Sequence, residues 1–238
     1  MATLTSRTSG IVRGNQPRCP CILLLDISQS MQGTRIAQLN EGLRRFKEAL
    51  LEDDVASLRV EVALITFSTT VELATDFQPA LDFEPPVLEA HGKTALYQAI
   101  LEGIALSLQR KKAYKDKGIP YYQPWMFMLT DGSPTDDPYG DEAKRTLREY
   151  ETKNKVVFYA VGVDDPNTDM DLLRSLSIHP AIQLKQLAFK DLFRWISQSV
   201  STASRLKGDI DIMQNPAVPF TQLPDNLVPQ SSTAGHGR

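Results

Sequence analysis

Five oxygen-bearing side chains stand where they could bind one metal ion together. They are two carboxylates and three hydroxyls from three separate stretches: Asp26, Ser28, Ser30, Thr94 and Asp131. Oxygen ligands of this kind suit hard divalent cations such as Mg²⁺ and Mn²⁺, with Ca²⁺ as an alternative and water completing the shell. Because hydroxyls are neutral, the set would leave most of the ion's charge uncompensated and able to attract a further anionic ligand.

Each of these residues also has an ordinary structural interpretation. Asp26, Ser28, Ser30 and Thr94 are residue types that cap helix N-termini, and Asp131 could stabilise the turn TDGSPTDD. Alone, each would more often be a cap or turn residue than a ligand. The combination of three segments favours the metal site.

The apolar pattern predicts the elements that would position these side chains. Buried strands are predicted at 21–25, 58–67, 69–77, 124–130, 155–163 and 181–187. Helical spacing predicts helices at 35–53, 95–112, from about Tyr139 to 154, 169–177 and 189–206. The link before 69–77 is too short for a crossover helix, which predicts an antiparallel hairpin there. Elsewhere strands and helices alternate, so an α/β fold is expected with a mainly parallel sheet and helices on both faces.

This fold would bring the five side chains to one edge of the sheet. Ligands of open α/β sheets bind at the carboxyl ends of the parallel strands. Asp26 and the two serines follow the first strand, and Asp131 follows the strand at 124–130. Thr94 opens a helix that should start near the same edge.

Composition, cysteine spacing and the N-terminal sequence narrow the partners and the compartment that are expected. Charges are mixed along the 238 residues and the formal net charge is −3, which argues against nucleic acid or membrane as partner. Cys19 and Cys21 are too close for a good disulfide and too few for a zinc site. The N-terminus lacks a signal-peptide apolar region, and no stretch has the apolar length of a membrane span, so a cytoplasmic protein is expected.

The predicted domain covers about residues 17–206, between two less regular segments. Residues 1–16 are polar and are expected to form a flexible leader. Residues 207–238 contain several prolines and no sustained periodicity, and are expected to form an extended or disordered tail.

The metal-site residues resemble those of a known family. DISQS at 26–30, Thr94 in GKTAL and Asp131 in LTDGSPTDD resemble the metal-ion-dependent adhesion site (MIDAS) of the von Willebrand factor type A (VWA) domain. The resemblance implies a Rossmann-like fold whose six-stranded, mostly parallel sheet has one antiparallel edge strand. It also implies that Ser28, Ser30 and Thr94 bind the ion directly, and that Asp26 and Asp131 bind it through water.

The resemblance further implies an interaction module rather than an enzyme. Such a domain would use its Mg²⁺ or Mn²⁺ to bind an Asp or Glu of a partner protein. LLLDISQSM and TDGSPTDD are most similar to the bacterial intracellular TerY-like proteins, which are associated with tellurium-resistance and stress gene clusters. Lys93 departs from the pattern, since relatives often have a small residue there.

Two alternative functions stay open. An Asp after an apolar strand is similar to the nucleophile of haloacid-dehalogenase-type phosphatases, which would make the chain a metal-dependent phosphohydrolase. Ser28 stands where that chemistry requires a second acid. Alternatively, the proline-containing tail recruits a partner and the chain acts as a scaffold.

Overall fold

A seven-stranded sheet runs through the computed structural model, which describes residues 4, 16–163, 168–185, 188–205 and 223–230. Its order is β3-β2-β1-β4-β5-β6-β7, with the five central strands parallel and the two outer strands antiparallel to their neighbours. The strands are β1 Cys19–Asp26, β2 Val60–Phe67, β3 Val71–Pro79, β4 Trp125–Thr130, β5 Val157–Val163, β6 Ala181–Leu184 and β7 Leu227–Gln230. The predicted α/β fold, with its mostly parallel sheet and its β2–β3 hairpin, is confirmed.

Helices pack on both faces of this sheet, as predicted. In the described part of the chain they are α1 Thr34–Leu51, α2 Asp54–Arg59, α3 Leu96–Lys117, α4 Gly140–Thr152, α5 Met170–Leu176 and α6 Phe189–Arg205. One apolar core lies between the sheet and α1, α2 and α6, and a second lies between the sheet and α3, α4 and α5. Helix α2 was not predicted. Asp53 caps it by accepting hydrogen bonds from the backbone of Val55 and Ala56, so β2 begins at Val60 rather than at 58.

The central position of β1 in the sheet explains why its sequence is continuously apolar. Leu23 and Leu25 point into one core, while Ile22 and Leu24 point into the other. A strand buried on both faces shows no alternation of polar and apolar residues. Cys19 and Cys21 are free, buried thiols within this strand.

The prediction of six strands with one antiparallel edge strand was incomplete. Strand β7 lies within 207–238, the segment expected to be an extended or disordered tail, and pairs antiparallel with β6. Leu227 is buried in the apolar core to which α6 also contributes, and this burial anchors the strand. Residues 206–222 and 231–238 lie outside the described residues, as does most of the predicted leader. Leu4 contacts α3, because its backbone N–H donates to Glu102 Oε2 and its carbonyl accepts from Gln109 Nε2, both at 2.8 Å.

A buried ion pair lies toward the amino ends of β1 and β2. The carboxylate of Glu61 is fully buried, and its Oε2 accepts from Arg110 Nε at 2.9 Å and Nη2 at 2.5 Å. The hydroxyl of Tyr114 donates to the same oxygen. Arg18 Nε lies 3.7 Å from the other carboxylate oxygen. This network lies at the opposite end of the strands from the predicted metal site, which is at their carboxyl ends.

A second buried acid, Glu151, joins α4 to the connection between α5 and β6. It accepts hydrogen bonds from Ser177 Oγ at 2.6 Å and from the backbone N–H of Ile178 at 3.1 Å. Burial raises the pKa of Glu151 from 4.5 to about 7, outweighing the hydrogen bonds to Ser177 and Ile178, which lower it. The folded chain therefore binds this proton more tightly than the unfolded chain does.

Stability is expected to respond to pH through Glu151. Because its pKa is higher in the folded state, its contribution is present at low pH and is lost as the pH rises from 4.5 to about 7. The loss should be on the order of 2–3 kcal/mol, and Glu151→Gln should remove it. Urea unfolding between pH 4.5 and 8 measures this, with the exposed Glu149→Gln as control. An unchanged pH slope in Glu151→Gln would contradict the assignment.

Candidate metal site

The carboxyl end of β1 places Asp26 among polar groups at the edge of the sheet. Its carboxylate is buried: Oδ1 accepts the backbone N–H of Ser28 at 2.8 Å, and Oδ2 accepts the hydroxyl of Thr130 at 2.5 Å. Burial is the main cause that raises the pKa of Asp26 to about 6; the two hydrogen-bonding partners lower it and the nearby Asp131 raises it further. A cation at this position would favour the ionised carboxylate.

The hydroxyls and the second carboxylate lie beside Asp26. Ser28 Oγ is 3.0 Å from Ser30 Oγ, and Ser30 Oγ donates to Asp131 Oδ1 at 2.6 Å. A Cβ atom added to Gly132 would lie 3.6 Å from Thr94 Oγ1 and 3.8 Å from Ser30 Oγ, so these two hydroxyls flank the same glycine. The three segments thus converge at the carboxyl edge of the parallel strands.

The capping interpretation does not account for the hydroxyls. The N-cap residues of α1 and α3 are Gly33 and Ala95, and neither helix has a side-chain cap. Ser28 is the N-cap residue of a 3-10 turn at Gln29–Met31, but its side chain makes no capping hydrogen bond there. At α3 the backbone N–H of Gln98 is satisfied by Asp136 Oδ2, at 2.8 Å. The three hydroxyls are therefore not engaged as helix caps.

The donor set fits an octahedral divalent cation. Adjacent ligands of Mg²⁺ at about 2.1 Å are about 3.0 Å apart, which is the separation of the Ser28 and Ser30 hydroxyl oxygens. Asp26 and Asp131 are both buried and supply two negative charges. Across the described ranges, no three His, Cys, Asp or Glu side chains gather into a metal cluster. Binding here would therefore depend on the neutral hydroxyls.

Two contacting residues, Thr130 and Arg35, were not singled out from the sequence. Thr130 ends β4 and directly precedes Asp131, so its place beside a predicted ligand was the available signal. Arg35 lies in the first turn of α1; its Nη1 donates to Asp131 Oδ2 at 2.9 Å and to the carbonyl oxygen of Ser30 at 2.7 Å. A cation in the first turn of a helix is unfavourable, so the position of Arg35 was the available signal in the sequence.

The loop before Thr94 is held close to the turn after β2. Gly92 has φ +76°, and a Cβ atom there would lie 2.5 Å from Thr69 Oγ1, so the approach requires glycine. The next backbone N–H, that of Lys93, donates to the same Thr69 hydroxyl at 3.0 Å. Lys93 is itself exposed beside the predicted ligands.

Comparison with known proteins shows the family to which this chain belongs. The model of the von Willebrand factor type A domain matches residues 21–193, which is well over half of the chain. The chain therefore belongs to the VWA family. No curated protein matches it.

Solved structures share the fold at low sequence identity. The ArnB paralog VWA2 of Sulfolobus acidocaldarius is 16% identical, with a TM-score of 0.51 over 82% of this chain and 47% of that chain. The pilus adhesin SpaC of Lactobacillus rhamnosus GG is 14% identical, with a TM-score of 0.60 over 79% of this chain and 31% of its own. The vWF domain of the type V pili tip protein Mfa5 of Porphyromonas gingivalis is 11% identical, with a TM-score of 0.57 over 82% and 98%. The chain thus spans less than half of the first two proteins. None of its described helices is long and apolar enough to cross a membrane.

Proposed function

We propose that this chain is a divalent-metal-dependent protein-interaction module. VWA domains are general interaction and adhesion modules, and this chain belongs to that family. The observation that carries the metal dependence is the meeting of two buried carboxylates with three hydroxyls that cap no helix. They are the residues of the MIDAS pattern: Asp26, Ser28, Ser30, Thr94 and Asp131.

The proposed roles follow from the chemistry of each side chain. Ser28, Ser30 and Thr94 would bind Mg²⁺ or Mn²⁺ directly, while Asp26 and Asp131 would act through water. When bound, the ion supplies positive charge to a carboxylate from outside the chain. Because the direct ligands are neutral, an Asp or Glu of a partner protein would be preferred over a neutral side chain.

The surface around the site supplies the rest of the proposed interface. Loops 68–70, 88–93 and 132–140 each make a backbone hydrogen bond to a segment that carries proposed ligands. Gly92 accepts from Gln29, Ser68 accepts from Ala95, and Thr135 donates to Thr94. From the resemblance to TerY-like proteins, we propose a partner in a cytoplasmic bacterial stress-response or tellurium-resistance system.

A capture experiment from the native host tests the proposal. The immobilised protein should retain a partner in Mg²⁺ and release it in chelator, and Asp26→Ala should retain none. The exposed Asp116→Ala, whose carboxylate pairs only with Lys112 in the described structure, is the matched control. Capture that is independent of metal and unaffected by Asp26→Ala would overturn the proposal.

The same variants address the two alternative functions. Hydrolysis of a phosphate ester that disappears in Asp26→Ala would support a phosphohydrolase instead. A scaffold acting through the tail predicts that capture depends on residues beyond the domain. Deleting 208–238 would also remove β7, so the sharper change is to replace 207–222 with a Gly-Ser linker of equal length and delete 231–238.

A further inference from the structure

Arg35 provides the metal site with a positive charge from the chain itself. Its guanidinium forms an ion pair with Asp131, 2.9 Å from Oδ2, while the other carboxylate oxygen accepts from Ser30 Oγ at 2.6 Å. The Asp131 side chain is fully buried, whereas that of Arg35 is 26% exposed. Both oxygens of a buried acid are therefore satisfied by protein groups.

The position of Arg35 in α1 is an unfavourable one for a cation. It is the second residue of the helix, where the partial positive charge of the N-terminus repels a cation. The first turn of α1 contains no acidic residue to offset that repulsion. The ion pair with Asp131 and the hydrogen bond to the Ser30 carbonyl help to hold the guanidinium there.

We infer that Arg35 competes with the divalent cation for Asp131, and so sets how tightly this site binds metal. The inference rests on the proposed function, because it concerns the same five ligands. In the absence of metal, the guanidinium balances a charge that would be costly to bury alone. With a metal bound, Asp131 would interact with both the ion and the Arg35 guanidinium. These two positive charges would then lie close together in a partly buried site.

A structural role and a competing role for Arg35 predict different results. If Arg35 only supported the loop, its removal would lower both the stability of the metal-free protein and its affinity for metal. If it competes, removal should lower the stability of the metal-free protein but raise the affinity. The opposite signs of these two changes distinguish the roles.

The experiment measures Mn²⁺ affinity by electron paramagnetic resonance and metal-free stability by thermal unfolding. Arg35→Gln should bind Mn²⁺ about tenfold more tightly, equivalent to 1.4 kcal/mol, and should melt at a lower temperature without metal. Arg35→Lys retains the charge and should bind Mn²⁺ much as the wild type does. Arg44→Gln, which removes an exposed arginine of the same helix, is the control and should change neither quantity.

The possible outcomes separate this inference from the proposed function. If the wild type binds Mn²⁺ through Asp26 but Arg35→Gln binds it equally or more weakly, the inference is wrong and the proposed function stands. If neither the wild type nor any variant binds Mn²⁺, the proposed function is overturned and the inference with it.

Discussion

The Ser28→Ala, Ser30→Ala double variant is expected to lose at least about 100-fold in Mn²⁺ affinity, since changes to mere outer-shell partners of metal sites already cost about 10–100-fold. The two hydroxyl oxygens are 3.0 Å apart and are the proposed direct ligands. Alanine removes both oxygens, while Asp26 and Asp131 retain their charges. A cation would then meet two buried carboxylates without the neutral ligands that complete its shell.

Linkage between binding and folding gives this prediction a second measurement. At a Mn²⁺ concentration 100 times the Kd, the wild type should gain about 2.7 kcal/mol in free energy of unfolding. A 100-fold weaker variant should gain about 0.4 kcal/mol at the same concentration. The control is the double variant Ser57→Ala, Ser107→Ala. Among the described residues, these two remote hydroxyls bond only to carbonyls of their own helices. Equal stabilisation of both double variants by Mn²⁺ would exclude the serines as ligands.

Replacing Glu61 with alanine should destabilise the fold by about 3–5 kcal/mol, the cost of breaking a buried ion pair from one side. The substitution leaves the guanidinium of Arg110 buried without its carboxylate, and it also removes the acceptor of the Tyr114 hydroxyl. The Phe77 ring, 4.9 Å from the guanidinium carbon, supplies only a weak replacement for that charge.

Urea unfolding with two further variants tests the origin of this loss. Glu41→Ala removes an acid that is paired with arginines at the surface of α1, where water screens the interaction and the pair contributes little to stability. Glu61→Met combined with Arg110→Met removes both charges and should be much closer to the wild type than Glu61→Ala. If Glu61→Ala were no less stable than Glu41→Ala, the buried pair would not contribute as described.

The central strands and the convergence of the site residues could both be predicted from the properties of parallel sheets. Strands buried on both faces are continuously apolar, so β1 and β4 were visible in the sequence. The carboxyl ends of parallel strands share one edge, which predicts that Asp26 and Asp131 come together.

Contacts between segments that are distant in the sequence could not be predicted from such local patterns. Strand β7 has four residues and no period, and its pairing with β6 joins positions more than forty residues apart. The ion pair of Glu61 and Arg110 spans 49 residues, and no local pattern marks it. Arg35 reaches Asp131 through a long side chain whose direction the helical pattern does not specify.

Strand β7 also bears on how copies of this protein meet. An open sheet edge with unpaired N–H and C=O groups can template the strand of another molecule. In the described residues, β7 forms one end of the sheet, is four residues long and contains Pro229, which has no N–H to donate. This edge of the sheet is therefore poorly suited to strand-by-strand polymerisation.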